Sequence, residues 1–167
     1  MLTLVNATAE QMPIVQDIAQ RTWPTTFAGI LTPDQIDYML DWMYNVPTLT
    51  KQVSEQGHHF ILVEEDGEYL GYAGFEHHFE GQSRTKLHKI YLLPSAQGKG
   101  AGKLLIDEVI KRTQNSGDDA LFLHVNRENK AVLFYEKIGF KTIQVLDVPI
   151  GNGYFMNDFV MQLDLGS

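Results

Sequence analysis

The chain has 167 residues, 44% of them hydrophobic and 20% charged, which fits one globular domain over residues 1–167 and excludes wholesale disorder. It holds no cysteine, so a disulfide framework, a thiolate metal site and a cysteine nucleophile are excluded together. Thirteen basic against twenty-one acidic side chains give a net charge of −8, the opposite of a nucleic-acid-binding footprint. The imbalance is local: Met1 to Ser83 carries two basic and twelve acidic residues, and Arg84 to Ser167 eleven and nine. An anionic ligand is therefore expected on the second half and a cationic one on the first. The opening Met1-Leu2-Thr3-Leu4-Val5-Asn6 lacks a basic leader, and no apolar run nears the roughly 18 residues that span a bilayer, so neither export nor membrane insertion is expected and the cytoplasm is the expected location.

The elements follow in chain order. Thr8 with Gln11, and Thr32 with Gln35, fit capping boxes, with Pro33 at the favoured first helical position. These predict one helix ending near Thr22, before Pro24, and a second from Pro33 to about Asn45, before Pro47. Strands are predicted over His58 to Glu64 and Tyr69 to Phe79, around the hairpin signal Asp66-Gly67, and over Lys86 to Leu93. A helix over Lys103 to Gln114 closes at Gly117, a buried strand spans Ala120 to Val125, and a short helix runs from Glu128 to Lys137 before Gly139. Phe140 to Val148 and Tyr154 to Leu163 form a closing antiparallel pair joined across Pro149 to Gly153. The order β-α-α-β-β-β-α-β-α-β-β implies an α/β (α+β) fold. Its sheet is mixed and mostly antiparallel, with six or seven strands, one parallel crossover and four helices on its faces.

Gln97-Gly98-Lys99-Gly100-Ala101-Gly102 sits between a strand and a helix, where backbone amides and a helix N-terminus favour an anion. It is not a dinucleotide fingerprint, which needs glycine where Lys103 stands. Nor is it a Walker A loop, which needs glycine at Gln97 and a hydroxyl at Leu104. The pattern Gln-x-x-Gly-x-Gly after Ile90-Tyr91-Leu92-Leu93-Pro94 resembles the GNAT superfamily of acyl-CoA-dependent N-acetyltransferases. Ala131-Val132-Leu133-Phe134-Tyr135-Glu136-Lys137-Ile138-Gly139-Phe140 is similar to that superfamily's C-terminal helix signature. The expected strand lies between the two motifs, and the predicted element order covers nearly the whole chain.

The resemblance implies acetyl-CoA as co-substrate. Its pyrophosphate would be held by the amides of Gln97, Gly98, Lys99, Gly100, Ala101, Gly102 and Lys103, and its pantetheine would pair with the main chain of Ile90, Tyr91 and Leu92 like an added strand. It also implies that Tyr135 protonates the departing thiolate and that the Leu92 amide donates to the developing oxyanion. Periodicity alone would read Tyr135 as a core aromatic, since Ala131, Phe134, Tyr135 and Ile138 share a helix face. Many members have asparagine seven residues before the tyrosine; here Glu128 stands there. Asn126 and Asn129 are the alternatives, each fitted either for pantetheine contact or for helix capping.

The amine must lose a proton before attack, and Glu76, His77, His78 and His88 are candidate bases. Neighbouring histidines (His58-His59, His77-His78) point to opposite strand faces, so no metal site is implied. Trp23, Thr25, Phe27, Tyr38, Trp42 and Tyr154 are nominated for the acceptor pocket, where aromatic rings beside acidic charge suit a cation. The segment Thr22 to Tyr44 also resembles bacterial polyamine acetyltransferases of the superfamily. The expectation is direct transfer in a ternary complex to a small primary amine, a polyamine first, then an antibiotic amine or a protein N-terminus or lysine. The rival from another class is a non-catalytic acyl-CoA-binding sensor. A homodimer through the last two strands is the expected assembly.

Overall fold

The structure, a computed structural model, describes residues 1–166. Its seven strands are β1 (Thr3–Ala7), β2 (His59–Glu65), β3 (Glu68–Glu76), β4 (Arg84–Leu92), β5 (Ala120–Asn126), β6 (Lys141–Gly151) and β7 (Tyr154–Asp164). They form one sheet in the order β1-β2-β3-β4-β5-β7-β6. β4 and β5 are parallel, and every other neighbouring pair is antiparallel. Asp66 and Gly67 turn β2 into β3 with positive φ at both positions, as a tight hairpin requires. The last hairpin turns at Asn152 and Gly153 in the same way. Pro149, expected in that connection, instead lies within β6, where an edge strand tolerates a residue without an N–H. β3 stops at Glu76 rather than Phe79 because His78 and Glu80 take left-handed backbone conformations.

Five α-helices cover the sheet among the described residues, one more than expected. On one face α1 (Met12–Thr26), α2 (Pro33–Tyr44) and α3 (Val46–Ser54) share a core with Phe60, Leu62 and Tyr72. On the other, α4 (Ala101–Asn115) and α5 (Ala131–Ile138) share one with Ile61, Phe75 and Leu121. The alternation of Phe60 and Leu62 with Ile61 and Val63 is the period-2 pattern of a strand buried on both sides. No helix is long and apolar enough to cross a membrane among the described residues.

Two prolines account for the helix differences. α1 continues through Pro24 to Thr26. The proline removes one helical hydrogen bond, but Trp23 and Phe27, 2% and 5% exposed, bury the last turn, and the Phe27 amide still donates to the Trp23 carbonyl at 2.9 Å. Pro47 does not end the helical region; it occupies the first turn of α3, where no N–H is needed. Asn45 caps that helix, its Oδ1 accepting from the Thr48 amide at 2.9 Å.

The feature that creates a site is the separation of β4 from β5. They pair from Arg84 opposite Ala120 to Leu87 opposite Leu123 and no further. Beyond that point β5 stays with β7 as far as Asn126, and β4 stays with β3 as far as Leu92. On β4 the register skips His88, since Gly74 faces Lys89 and Phe75 faces Leu87. This bulge bends β4 where the strands part.

Candidate active site

A cavity of 1180 Å³ opens from the parted strands and runs from the α1–α2 side to the start of α4. The Leu93 amide donates to the Leu70 carbonyl at 2.8 Å. Antiparallel alternation then turns the amides of Leu92 and Ile90, opposite Gly71 and Ala73, away from β3 and into the gap. β4 thus presents a short unpaired edge to the cavity.

The glycine loop lies at the end of that edge. Gly98 and Gly100 both have φ +81°, and Gly100 is the residue from which α4 springs. The first intrahelical bond runs from the Leu104 amide to the Gly100 carbonyl at 3.1 Å, which leaves the amides of Ala101, Gly102 and Lys103 uncommitted at the helix N-terminus. At Gly102 a Cβ would sit 3.4 Å from Leu92 and 3.8 Å from Phe134, narrowing the cleft. These donors and this clearance fit an anionic diphosphate. The two lysines contribute little charge to it: Lys99 donates to Glu65 at 2.7 Å and Lys103 to Asp107 at 2.7 and 2.8 Å, both in exposed pairs. Asn126 and Asn129 line the cavity and also cap the turn between β5 and α5, accepting from the amides of Glu128 and Ala131 at 2.9 Å each.

Tyr135 projects from α5 into the same cavity, 5% exposed, with Phe134 and Phe140 ring centroids each 5.5 Å away. Its phenol has no hydrogen-bond partner among the described residues, and burial pushes its pKa well above that of an ordinary tyrosine, with Tyr91 adding to the rise. It therefore remains a protonated donor at neutral pH.

At the α1–α2 end of the cavity, Trp23, Phe27 and Tyr91 form an aromatic wall, with centroids 4.8 Å apart for Trp23–Phe27 and 5.6 Å for Trp23–Tyr91. Thr25 and Trp42 also line the cavity. Tyr38 and Tyr154 lie outside its lining. Tyr38 donates to the Ile150 carbonyl at 2.8 Å and packs on Tyr154 at 5.4 Å, so the pair ties the β6–β7 hairpin to α2. Aromatic composition alone did not separate these two jobs.

The candidate bases divide. His77 bonds Thr85 at 2.8 Å and His78 pairs with Asp118 at 2.6 Å; neither lines the cavity. His88 does, but burial, reinforced by His58 and two lysines, lowers its pKa to about 2, too weak for a base at neutral pH. Glu76 stands behind the lining, and its Oε1 lies 2.9 Å from His88 Nε2 and 3.2 Å from His58 Nε2. His58, held near 4 chiefly by burial, stacks on His88 at 4.2 Å. The ligating atoms of these three residues all lie within 4.8 Å of one another. The intrastrand argument against chelation did not reach this set, because its members come from three adjacent chain segments that only sheet register brings together. Both rings are neutral, and His88 hydrogen-bonds Glu76 through Nε2 while His58 stands beside the same oxygen.

Sequence reasoning missed two charged groups. Asp158 on β7 is 3% exposed and lines the cavity. Burial raises its pKa to about 6, with Arg127 and Lys86 opposing the rise. Burial raises the pKa of the Tyr91 phenol, and the Asp158 charge adds to that rise. Lys89 on β4 is 6% exposed and also lines the cavity. The available signal was alternation: Asp158 falls in the inward set with Met156 and Val160, and Lys89 in the set with Tyr91.

A family model described as an acetyltransferase (GNAT) domain matches residues 29–152. An uncharacterised N-acetyltransferase of Mycobacterium tuberculosis is 29% identical over 150 residues, covering 89% of this chain and 94% of that protein. The L-amino acid N-acyltransferase MnaT of Escherichia coli is 31% identical over 113 residues, covering 65% and 66%. Among solved structures, the PaiA N-acetyltransferase of Thermoplasma acidophilum in complex with coenzyme A aligns with a TM-score of 0.80 at 22% identity, over 98% and 99% of the two chains. The chain belongs to the GNAT family of acetyltransferases. It is an acetyl-CoA-dependent N-acetyltransferase acting on amines.

Proposed function

We propose that the enzyme acetylates the primary amine of a small acceptor by direct attack in a ternary complex, with Tyr135 as general acid and Asp158 as proton acceptor. The observation that carries this reading is the convergence of the Tyr135 phenol, the unpaired Leu92 amide and the buried Asp158 carboxylate on one cavity. Acetyl-CoA supplies an acetyl group activated as a thioester. The loop amides from Gly98 to Lys103 hold its diphosphate, the expected Gln97 amide being instead given to the Pro94 carbonyl at 3.3 Å, and the free edge of Ile90 and Leu92 pairs with the pantetheine amides. Asn126 and Asn129 keep their amide nitrogens available to the same arm while their oxygens cap the turn.

An amine of pKa near 10.4 is neutral in only about four molecules per ten thousand at pH 7. Asp158, ionised at pH 7 with a pKa of about 6, accepts the ammonium proton. The nitrogen then forms the new C–N bond while the Leu92 N–H donates to the oxygen that gains charge. The C–S bond breaks, Tyr135 gives its proton to the leaving sulfur, and the second proton that the nitrogen sheds on becoming an amide restores the Tyr135 phenol, while Asp158 returns its proton to solvent. Without cysteine, an acyl-cysteine intermediate has no residue to form on.

The acceptor class is a small amine, seated against Trp23 and Phe27. The polyamine expectation draws support from Asp158; Lys86 and Lys89, cations lining the same cavity, weigh against a polycation. Incubation with acetyl-CoA and an amine panel, following thiol release, is expected to show turnover. Tight CoA binding with no turnover on any amine would make the chain a sensor instead. The homodimer belongs to the same proposal, because β6 is a free sheet edge with Ile143 and Val145 52% and 56% exposed. Sedimentation velocity is expected to give a dimer, and a monomer at micromolar concentration would remove that part.

A further inference from the structure

Lys89 is a buried cation with no ion-pair partner among the described residues. Its ammonium donates to Gln52 Oε1 at 3.1 Å and stands 5.6 and 5.7 Å from the ring centroids of Tyr44 and Phe60. Lys86, by contrast, feels the carboxylates of Glu76, Glu80 and Asp158. Burial first, and then the neighbouring Lys86, lower its pKa to about 8, so the side chain is still mostly charged at pH 7. Taking an ammonium out of water costs several kcal/mol unless an anion offsets it, and here the protein supplies a single amide oxygen. Two of the three N–H donors remain unused, and the group faces the cavity. Thr48 and Gln52 of α3 line the cavity beside it, and Gln52, accepting through Oε1, keeps its NH₂ free to donate. Trp23, Phe27, Met39 and Met156 add apolar walls to the same cavity.

We propose that Lys89, with Thr48 and Gln52, is an anion subsite for the acceptor's own carboxylate, which makes the acceptor an α-amino acid with a large apolar side chain. This deepens the reading of the cavity as an N-acetyltransferase site and rests on it. Asp158 takes the ammonium end, Lys89 the carboxylate end, and the aromatic and methionine walls the side chain. A polyamine satisfies the first contact and leaves Lys89 unpaired beside a second cation.

The test compares leucine, methionine and phenylalanine with their amides, their decarboxylated amines and spermidine, by kcat/KM from thiol release. The amino acids are expected to be the preferred acceptors. In Lys89→Met the acid-to-amide ratio is expected to fall about 10- to 100-fold, the worth of a charge-assisted hydrogen bond. Gln52→Glu keeps the side chain's shape and gives Lys89 a resident carboxylate. It is expected to raise the melting temperature, to depress the same ratio, and to abolish calorimetric binding of the N-acetyl amino acid product. Spermidine or the decarboxylated amines used as well as the acids, or a ratio unmoved in both variants, would overturn the subsite and leave acetyl transfer standing. Transfer to no amine at all would overturn the enzyme reading and the subsite with it.

Discussion

Replacing Asp158 with asparagine is expected to lower kcat/KM at pH 7 by about 10²- to 10⁴-fold, the range of a lost general base. The substitution is isosteric, so the cavity wall keeps its shape and CoA affinity should hold within about twofold. In the parent enzyme log kcat/KM should rise as pH passes through about 6, where Asp158 ionises, and that rise should be absent in the variant. Arg127 and Lys86 fix the position of the step, since both favour the charged carboxylate against its burial. Stability should move the other way. The folded-state pKa lies above that of an exposed aspartate, so the folded state binds the proton more tightly. Asp158 therefore favours folding at low pH, and this contribution is lost as pH climbs through about 6. Asp158→Asn should accordingly melt higher than the parent at pH 7, with the gap closing below about pH 4. A residue that merely supports the fold would give the reverse pair of results, and unchanged turnover would remove it from the mechanism.

Tyr135→Phe should lower kcat by about 10²- to 10³-fold with CoA affinity unchanged within about twofold. The ring contacts with Phe134 and Phe140 survive the change, and the lost hydroxyl has no partner among the described residues. Its removal therefore costs no protein hydrogen bond, and the melting temperature should stay level or rise slightly. Steady-state kinetics beside calorimetric CoA titration separates the two quantities. Equal losses in both would make Tyr135 a packing residue of the cofactor cleft.

What could be read before folding was local chemistry. The glycine loop and its following helix show in Gln97 to Gly102 because positive φ and a helix start are demands on adjacent residues. The hairpin at Asp66-Gly67 is legible for the same reason. The crossover between β4 and β5 follows from element order alone. The α1–α2 end of the cavity was poorly legible because its parts meet only through register. His58, Glu76 and His88 become neighbours across three segments. Asp158 and Lys89 reach one cavity from strands 69 residues apart in sequence, by their numbers. α3 was hidden by Pro47, which reads as a stop for the preceding helix and serves as the start of the next. Tyr38 and Tyr154 have the residue type of a cation pocket and the position of a fastener.

The single extra residue on β4 sets how much chemistry that strand can deliver. A regular strand sends every second side chain to a given side, so four consecutive positions provide two. Around the bulge, Lys86, Leu87, His88 and Lys89 all line the cavity, four consecutive positions in place of two. Excising His88 would restore strict alternation, with Leu87 and Ile90 still turned toward the α4 core. The apolar interior would thus keep its pattern in the shorter chain, while this cavity wall would be thinned and its strand straightened.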